Sequence, residues 1–346
     1  MRFAYIADIH LSRYSQDKIE DQTNLPERLN SIKNTLYEVG DYCLQNSIRN
    51  IFIGGDILHG KSVIYAIAQD IMIQFFEDYV HSGIYFHVID GNHDLSGKGN
   101  EVVSALRPLS NIDGVKWVKF SEIYRLSPPE DILFVPYSNN LPKIIKNNKA
   151  RILVSHFGLN EGILNSGISI ISEVSMKDLE GKYDLVLLGH YHKPQEIVQN
   201  GVRVLYVGSL IELDWGEKND QKRFLVVDTD TLNVDSIPIT QYRKHVQVEV
   251  TSENKDEAIE IVKAAQQAGD HVKVVMKEKV DLSVLENVNI IDKTDRDITN
   301  RGITSNMSTE DKLRKYLEIK EISPEYYDMY MKVAMEVIQK GDESVG

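Results

Sequence analysis

The most constraining feature of this chain is where its chemically active side chains fall. Five segments each follow or close an apolar run of strand length, and each holds Asp, His or Asn. Asp8-Ile9-His10 follows Arg2–Ala7, and Gly55-Asp56-Ile57-Leu58-His59 follows Ile48–Ile53. Gly91-Asn92-His93-Asp94 follows Ile84–Ile89, Ser155-His156-Phe157-Gly158 closes Arg151–Ser155, and Gly189-His190-Tyr191-His192 follows Leu185–Leu188. Six of the ten histidines lie in these segments. A chain of this kind is expected to fold so that the carboxyl ends of its strands share one edge, where open α/β sheets carry their sites.

The intervening text supports that layout. Pro26–Gln45 repeats apolar residues at helical spacing (Leu29, Ile32, Leu36, Val39, Tyr42), and Val63–Val80 does the same. Further strands are expected at Ile132–Val135, Val202–Val207 and Arg223–Asp228. Strands alternating with helices predict a layered α/β domain over residues 1–240. After that the pattern changes. His245–Thr251, Lys255–Ala268 and His271–Lys277 read as strand, helix and strand, a small α/β cap over residues 241–292. Residues 293–307 are polar and read as a linker. Residues 308–340 read as two helices, opened by Ser308-Thr309-Glu310-Asp311 and by Ser323-Pro324-Glu325, each with a capping residue.

Composition excludes several classes. With 346 residues and 42% apolar side chains the chain is long enough for two or three packed units. One cysteine, Cys43, excludes an internal disulfide framework and cysteine-held zinc or iron–sulfur centres. No apolar run reaches the ~20 residues of a membrane span, and Asp8 comes too early for a signal peptide, so a cytoplasmic protein is expected. The net charge of −13 argues against a broadly basic nucleic-acid surface. Residues 1–240 carry 23 basic and 31 acidic side chains, residues 241–305 carry 10 and 12, and residues 306–346 carry 6 and 9. No part is basic overall, so any binding to nucleic acid must be local.

The residue types point to a two-metal site. Imidazole suits the later first-row divalent ions, and carboxylate oxygen suits Mn2+ and Mg2+. A mixed His/Asp/Asn set without thiolate favours Mn2+ or Fe2+ over structural zinc. A bridged ion pair lowers the pKa of a bound water and neutralises charge on a phosphoryl group. Each residue alone has a plainer explanation: Asp8 as a turn former, Asn92 as an Asx-turn beside Gly91, His59 at a helix start, His190 and His192 in packing. The plainer explanations do not account for all five segments in that order.

The ordered set resembles the calcineurin-like metallophosphoesterase superfamily, most specifically in Gly91-Asn92-His93-Asp94 and Gly189-His190-Tyr191-His192. Asp8-Ile9-His10-Leu11, Gly55–His59, Leu188–Gln195 and Tyr206-Val207-Gly208-Ser209-Leu210 are similar to the SbcD and meiotic-recombination-eleven nucleases, and Gly216-Glu217 with Arg223–Asp228 resembles the close of their catalytic domain. The likeness covers about residues 1–230, and the short total length is nearer the phage type. It implies an α/β fold: a four-layer sandwich of two sheets flanked by helices, with a DNA-binding cap and C-terminal helices. It implies two Mn2+ ions, with Mg2+ or Fe2+ as alternatives, held by Asp8, His10 and His192 and by Asn92, His156 and His190, with Asp56 bridging. His93 takes the place of the catalytic histidine, and His59 that of a supporting one. The implied activity is a 3′→5′ exonuclease and endonuclease on DNA ends. The implied partners are DNA, an SbcC-type ABC ATPase with a coiled coil docked by the C-terminal helices, and a second copy in a homodimer. Gly60-Lys61-Ser62-Val63 departs from the Ser/Pro-rich stretch usual there. Lys61, Lys98 and Lys193 beside the site, and Lys273, Lys277 and Lys279 of one parity in the cap, are candidate phosphate contacts. The alternative on the same fold is a small-molecule or nucleotide phosphodiesterase.

Overall fold

The computed structural model describes residues 1–334 apart from 15–16, 62, 98–101, 126–130, 170, 295–306 and 321. Lys98 and most of the expected linker therefore lie outside the described residues. In chain order the first part contains β1 (Arg2–Ile6), α1 (Glu27–Gln45), β2 (Asn50–Ile53), α2 (Ala66–His81), β3 (Tyr85–Ile89), the short pair β4 (Leu95–Ser96) and β5 (Val103–Ser104), β6 (Val115–Val118), β7 (Glu122–Tyr124), β8 (Ile132–Val135), α3 (Leu141–Asn147), β9 (Ile152–His156), α4 (Met176–Leu179), β10 (Leu185–Gly189), β11 (Gln195–Gln199), β12 (Val202–Tyr206), β13 (Arg223–Asp228) and β14 (Val234–Pro238).

These strands build two six-stranded sheets, β14-β13-β1-β2-β3-β6 and β11-β12-β10-β9-β8-β7. β1, β2, β3 and β6 are mutually parallel, as are β8, β9, β10 and β12. Alternation along each strand separates three apolar layers. Phe3, Tyr5, Phe52, Phe134, Leu187 and Leu225 fill the space between the sheets. Ala4, Ile6, Ile51 and Phe86 face the other way, onto Leu29, Ile32, Leu36 and Val39 of α1 and Phe75, Phe76 and Tyr79 of α2. Leu153, Val186 and Val204 on the second sheet meet Leu141 and Ile145 of α3 and Met176 and Leu179 of α4. The result is the expected helix–sheet–sheet–helix sandwich. Gly40 in α1 is a packing requirement: a Cβ there would lie 2.2 Å from the Tyr79 ring.

The chain divides into two compact units, one of Met1–His245 with Ala268–His271 and the other of Val246–Gln267 with Val272–Gly346. The elements β15 (His245–Val250), α5 (Lys255–Ala268), β16 (His271–Met276) and β17 (Asn289–Asp292) form a three-stranded sheet and its helix. α5 buries Ala258, Ile259, Val262 and Ala265, a helical spacing, among Val248, Val250, Val274, Leu282 and Leu285. The sequence expected β16 to reach Lys277, but it ends at Met276. Glu278 there accepts hydrogen bonds from Ser252, so Lys277 and Lys279 lie past the strand. In α6 (Thr309–Ile319) the Ser308 hydroxyl accepts from the Asp311 N–H at 3.0 Å, the expected cap. Pro324–Tyr326 is a 3₁₀ turn, and residues 327–334 are helical.

The layer between the sheets also holds an imidazole. His87 of β3 stacks on Phe134 at 5.5 Å and meets Phe52 and Tyr124 edge-on at 5.0 and 4.8 Å. Its Nδ1 is buried without a hydrogen-bond partner among the described residues. Burial, then the Lys116 charge, pull its pKa down to about 4. The unfolded chain takes up that proton below about pH 6.5, so His87 costs stability as pH falls from there towards 4. His87→Phe should therefore gain about 2 kcal/mol at pH 5 relative to its effect at pH 8. Chemical denaturation at the two pH values checks this, and an equal effect at both would contradict it.

Candidate metal centre

The site begins where β1 and β2 outrun their ladder. Asp8 N–H donates to the Gly55 carbonyl at 3.1 Å, His10 N–H to the Asp56 carbonyl at 3.0 Å, and Leu11 N–H to the Ile57 carbonyl at 2.8 Å. Asp8, His10, Asp56 and His190 all adopt left-handed backbone, with φ of 52°, 54°, 54° and 100°. Such conformations cost roughly 1–3 kcal/mol each away from glycine and persist where surrounding structure enforces them. Here the enforcement is visible. The buried Asp94 carboxylate accepts N–H bonds from Asp56 (2.7 Å), Gly91 (2.9 Å) and Leu58 (2.9 Å), joining the loops after β2 and β3. Burial, and then the Asp56 charge, push the Asp94 carboxyl well above its usual range. Position 91 must be glycine, because a Cβ there would lie 2.1 Å from Asp56 Oδ1.

Two groups of donor atoms converge on Asp56. In the first, His10 Nε2 and His192 Nε2 are 3.0 Å apart, and Asp8 lies with them in a cluster whose ligand atoms fall within 4.8 Å of one another. In the second, Asn92 Oδ1 is 3.1 Å from both His156 Nε2 and His190 Nδ1. Asp56 Oδ2 stands between them, 3.7 Å from His10 Nε2 and 3.4 Å from His156 Nε2. Asp8 also accepts from the His190 N–H at 2.9 Å, tying β1 of one sheet to β10 of the other. Atoms spaced this way suit neighbouring ligands of one ion, given bonds of ~2.0–2.2 Å. The outer contacts fit as well. His156 Nδ1 donates to the Gly54 carbonyl at 2.8 Å, which leaves Nε2 as the ligand atom.

Electrostatics sort these groups. Burial holds His10 well below the usual histidine range and His190 at about 3, so both are neutral. Against desolvation, the Asp56 carboxylate lifts His156 to about 9. His192 is raised too: burial opposes this, but the hydrogen bond to Glu217 and the charges of Asp8 and Glu217 together prevail. Asp56 is held far below the carboxylate range: burial opposes this, but His156 and His10 prevail. His156 thus holds a proton that a divalent ion would replace.

Sequence reasoning placed Asp8, His10, Asp56, Asn92, His93, His156, His190, His192 and His59 together, and the structure brings all nine to this seam. His93 N–H donates to Asp56 Oδ1 at 2.8 Å, and its Nδ1 donates to the His59 carbonyl at 2.8 Å. The His59 ring stacks on His93 at 5.1 Å, and its Nδ1 lies 3.1 Å from His10 Nδ1. Lys61 lines a cleft that also includes Asn92. Lys193 follows the histidine pair and is half-buried. Lys273, Lys277 and Lys279 belong to the second unit, where Lys277 pairs with Glu249 at 3.3 Å.

Two structural carboxylates carried no role in the sequence reading. Asp94 is one, and its signal was its place directly after His93. Glu217 is the other. Its Oε1 takes the His192 Nδ1–H at 2.8 Å, while its Oε2 accepts from Ser209 Oγ (2.7 Å), Leu213 N–H (3.1 Å) and the buried Lys222 Nζ (2.6 Å). Burial opposes ionisation, yet His192 and Lys222 bring Glu217 down to about 2.

A two-sheet sandwich with a buried Asp/His/Asn cluster at its shared strand ends is the scaffold of a metal-dependent phosphoester hydrolase. The chain belongs to the calcineurin-like phosphoesterase family, whose model matches residues 1–194. It is 23% identical over 250 residues to exonuclease subunit 1 of enterobacteria phage T4, spanning 69% of this chain and 68% of that one. It is 29% identical over 125 residues to the D component of nuclease SbcCD from Staphylococcus saprophyticus, spanning 34% of this chain and 32% of that protein. A dimetal phosphatase from Danio rerio aligns over 69% of this chain and 99% of its own, at 10% identity and a TM-score of 0.42. Among the described residues no helix is long and apolar enough to cross a membrane.

The Glu217 contact generates a test. Glu217→Gln keeps the side chain's shape but removes the charge that orients His192, and should weaken divalent-metal binding about 10–100-fold. Titration calorimetry measures it, and an unchanged affinity would show that Glu217 does not tune the site.

Proposed function

We propose that the chain is the nuclease subunit of an SbcCD-type nuclease–ATPase complex, cutting DNA ends as a 3′→5′ exonuclease and endonuclease during recombination, repair or replication. The observation that carries this reading is the convergence of seven oxygen and nitrogen donors on the seam between the sheets, with Asp56 between the two groups. The nuclease names of the two relatives support DNA as the substrate. Asp8, His10 and His192 would hold one ion, Asn92, His156 and His190 the other, and Asp56 both. Mn2+ suits this mixed donor set, with Mg2+ or Fe2+ as alternatives. Ions held there would supply the charge that polarises phosphoryl oxygens and lowers the pKa of a bound water.

The chain's own residues do the rest. His93 is fixed through Nδ1 on the His59 carbonyl, which leaves Nε2 to carry a proton to the leaving 3′-oxygen or to hold a phosphoryl oxygen. His59 positions His93 by that carbonyl and by ring stacking. Asp94 keeps Asp56 in place through the backbone. Lys61, Lys98, Lys193, Lys273, Lys277 and Lys279 are the candidate phosphate contacts on DNA. Because the chain is acidic overall, its grip is local, and a partner supplies much of the affinity.

That partner is an SbcC-type ABC ATPase, in an assembly containing two copies of this chain, working in the cytoplasm of the cell or phage host. Tyr316, Tyr326, Met329, Tyr330 and Val333 of the C-terminal helices are exposed, an apolar face suited to helix-in-groove docking. The second reading, a phosphodiesterase for small esters, leaves that face without a role.

Two experiments test the proposal. His93→Ala should keep its Mn2+ yet lose about 10²–10⁴-fold in cleavage of end-labelled duplex. Cleavage near the unaltered rate would remove His93 from the mechanism. Deleting the chain after Ser305 should abolish co-purification with the ATPase and leave Mn2+-dependent exonuclease activity. Retained co-purification would place the docking surface elsewhere.

A further inference from the structure

Beside the metal centre lies a cleft of about 1030 Å³ that none of the roles above explains. It opens directly on the site, for Asn92 forms part of its wall and the Tyr137 ring on its rim lies 6.5 Å from the His156 ring. Its floor is built rigidly. The buried Asp90 carboxylate accepts from Trp117 Nε1 at 3.1 Å and from the Ser104 hydroxyl, and the Asp90 carbonyl accepts the Tyr137 N–H at 2.9 Å. Its rim is the unusual part. Phe120 is 73% exposed and Tyr137 38%, two aromatic faces presented to solvent. Lys61, Arg107 and Lys119 stand around the same cleft; none forms a close ion pair among the described residues, and the Lys119 charge acts on the buried Asp90 carboxyl. Lys119 rests over the Phe120 ring at 5.2 Å.

Exposed aromatics among cations match one ligand chemistry. Rings stack on flat faces, and cations hold phosphates; a single nucleic-acid strand offers both, repeated along its length. A duplex hides its faces in its own stack and cannot use the rings. A volume at or above the ~300–1,000 Å³ of small-molecule sites fits a polymer better than one small ester.

We propose that this cleft binds an unpaired nucleotide strand leading to or from the metal centre, with bases stacked on Phe120 and Tyr137 and phosphates held by Lys61, Arg107 and Lys119. The proposal deepens the nuclease reading and rests on it. It assigns the site a preference for frayed or single-stranded ends without base specificity, since every base has a stacking face.

The test uses the full chain and a fluorescein-labelled oligothymidylate, followed by anisotropy without divalent metal. The Phe120→Ala/Tyr137→Ala double variant should lose at least tenfold in affinity for the oligonucleotide and less than twofold for a blunt duplex of equal length. In the Phe120→Ala single variant, which leaves Tyr137 beside His156 in place, hydrolysis of bis-p-nitrophenyl phosphate with Mn2+ should change less than twofold. Phe120→Trp should retain or tighten oligonucleotide binding. Equal affinity in the double variant, equal losses on both DNAs, or no binding by the unaltered chain would each overturn the proposal. Failure of the nuclease reading shows separately, as ester hydrolysis without cleavage of any DNA.

Discussion

Two carboxylates, Asp8 and Asp56, are buried with His156 so that their ligand atoms lie within 4.8 Å of one another. Much of the surrounding structure answers that one constraint. Buried charge is costly unless it is paired and hydrogen-bonded. Asp8 draws the His190 backbone N–H across from the opposite sheet, and Asp56 draws the His93 N–H and the His156 ring. Neither arrangement forms without left-handed backbone at Asp8, Asp56 and His190. Asp94 then fixes that backbone with three N–H bonds, and the missing side chain of Gly91 admits Asp56. Strain, close approach and buried charge occur together because they are parts of one arrangement.

A second buried pair extends the logic outward. Glu217 and Lys222 are almost fully buried; Glu217 holds His192 by its far nitrogen, and Lys222 donates to the other Glu217 oxygen. A buried ion pair is poor evidence of stabilisation by itself. Here it sets which imidazole nitrogen faces the centre, so its value lies in orientation. Residues from β1, β2, β3, β9, β10 and the segment before β13 thereby act as one unit, although 209 positions separate Asp8 from Glu217 in number.

The inner strands were legible in the sequence and the outer ones were not. Ile132–Val135, Arg223–Asp228 and the runs before the five polar segments are continuous apolar stretches, because each inner strand is covered on both faces. The strands left unread in the two large sheets are β6, β7, β11 and β14, which are their four edges. Edge strands are short and half-solvated: β11 reads Gln-Glu-Ile-Val-Gln, and β14 ends in Pro238. Their pairing is decided by the neighbouring strand, which local periodicity does not report.

For the site, the sequence by itself determined the five segments that carry the chemistry, since the loops after parallel strands share the carboxyl edge of their sheet. The family resemblance then singled out Asp8, His10, Asp56, Asn92, His156, His190 and His192 among their residues as the candidate donors. Tertiary structure alone decided which donor faces which. That His10 meets His192, that Asn92 lies between His156 and His190, and that Asp94 and Glu217 brace the site are contacts between strands of different sheets or distant loops. Pairing across a seam depends on how two sheets stack, and no local stretch of sequence encodes that distance.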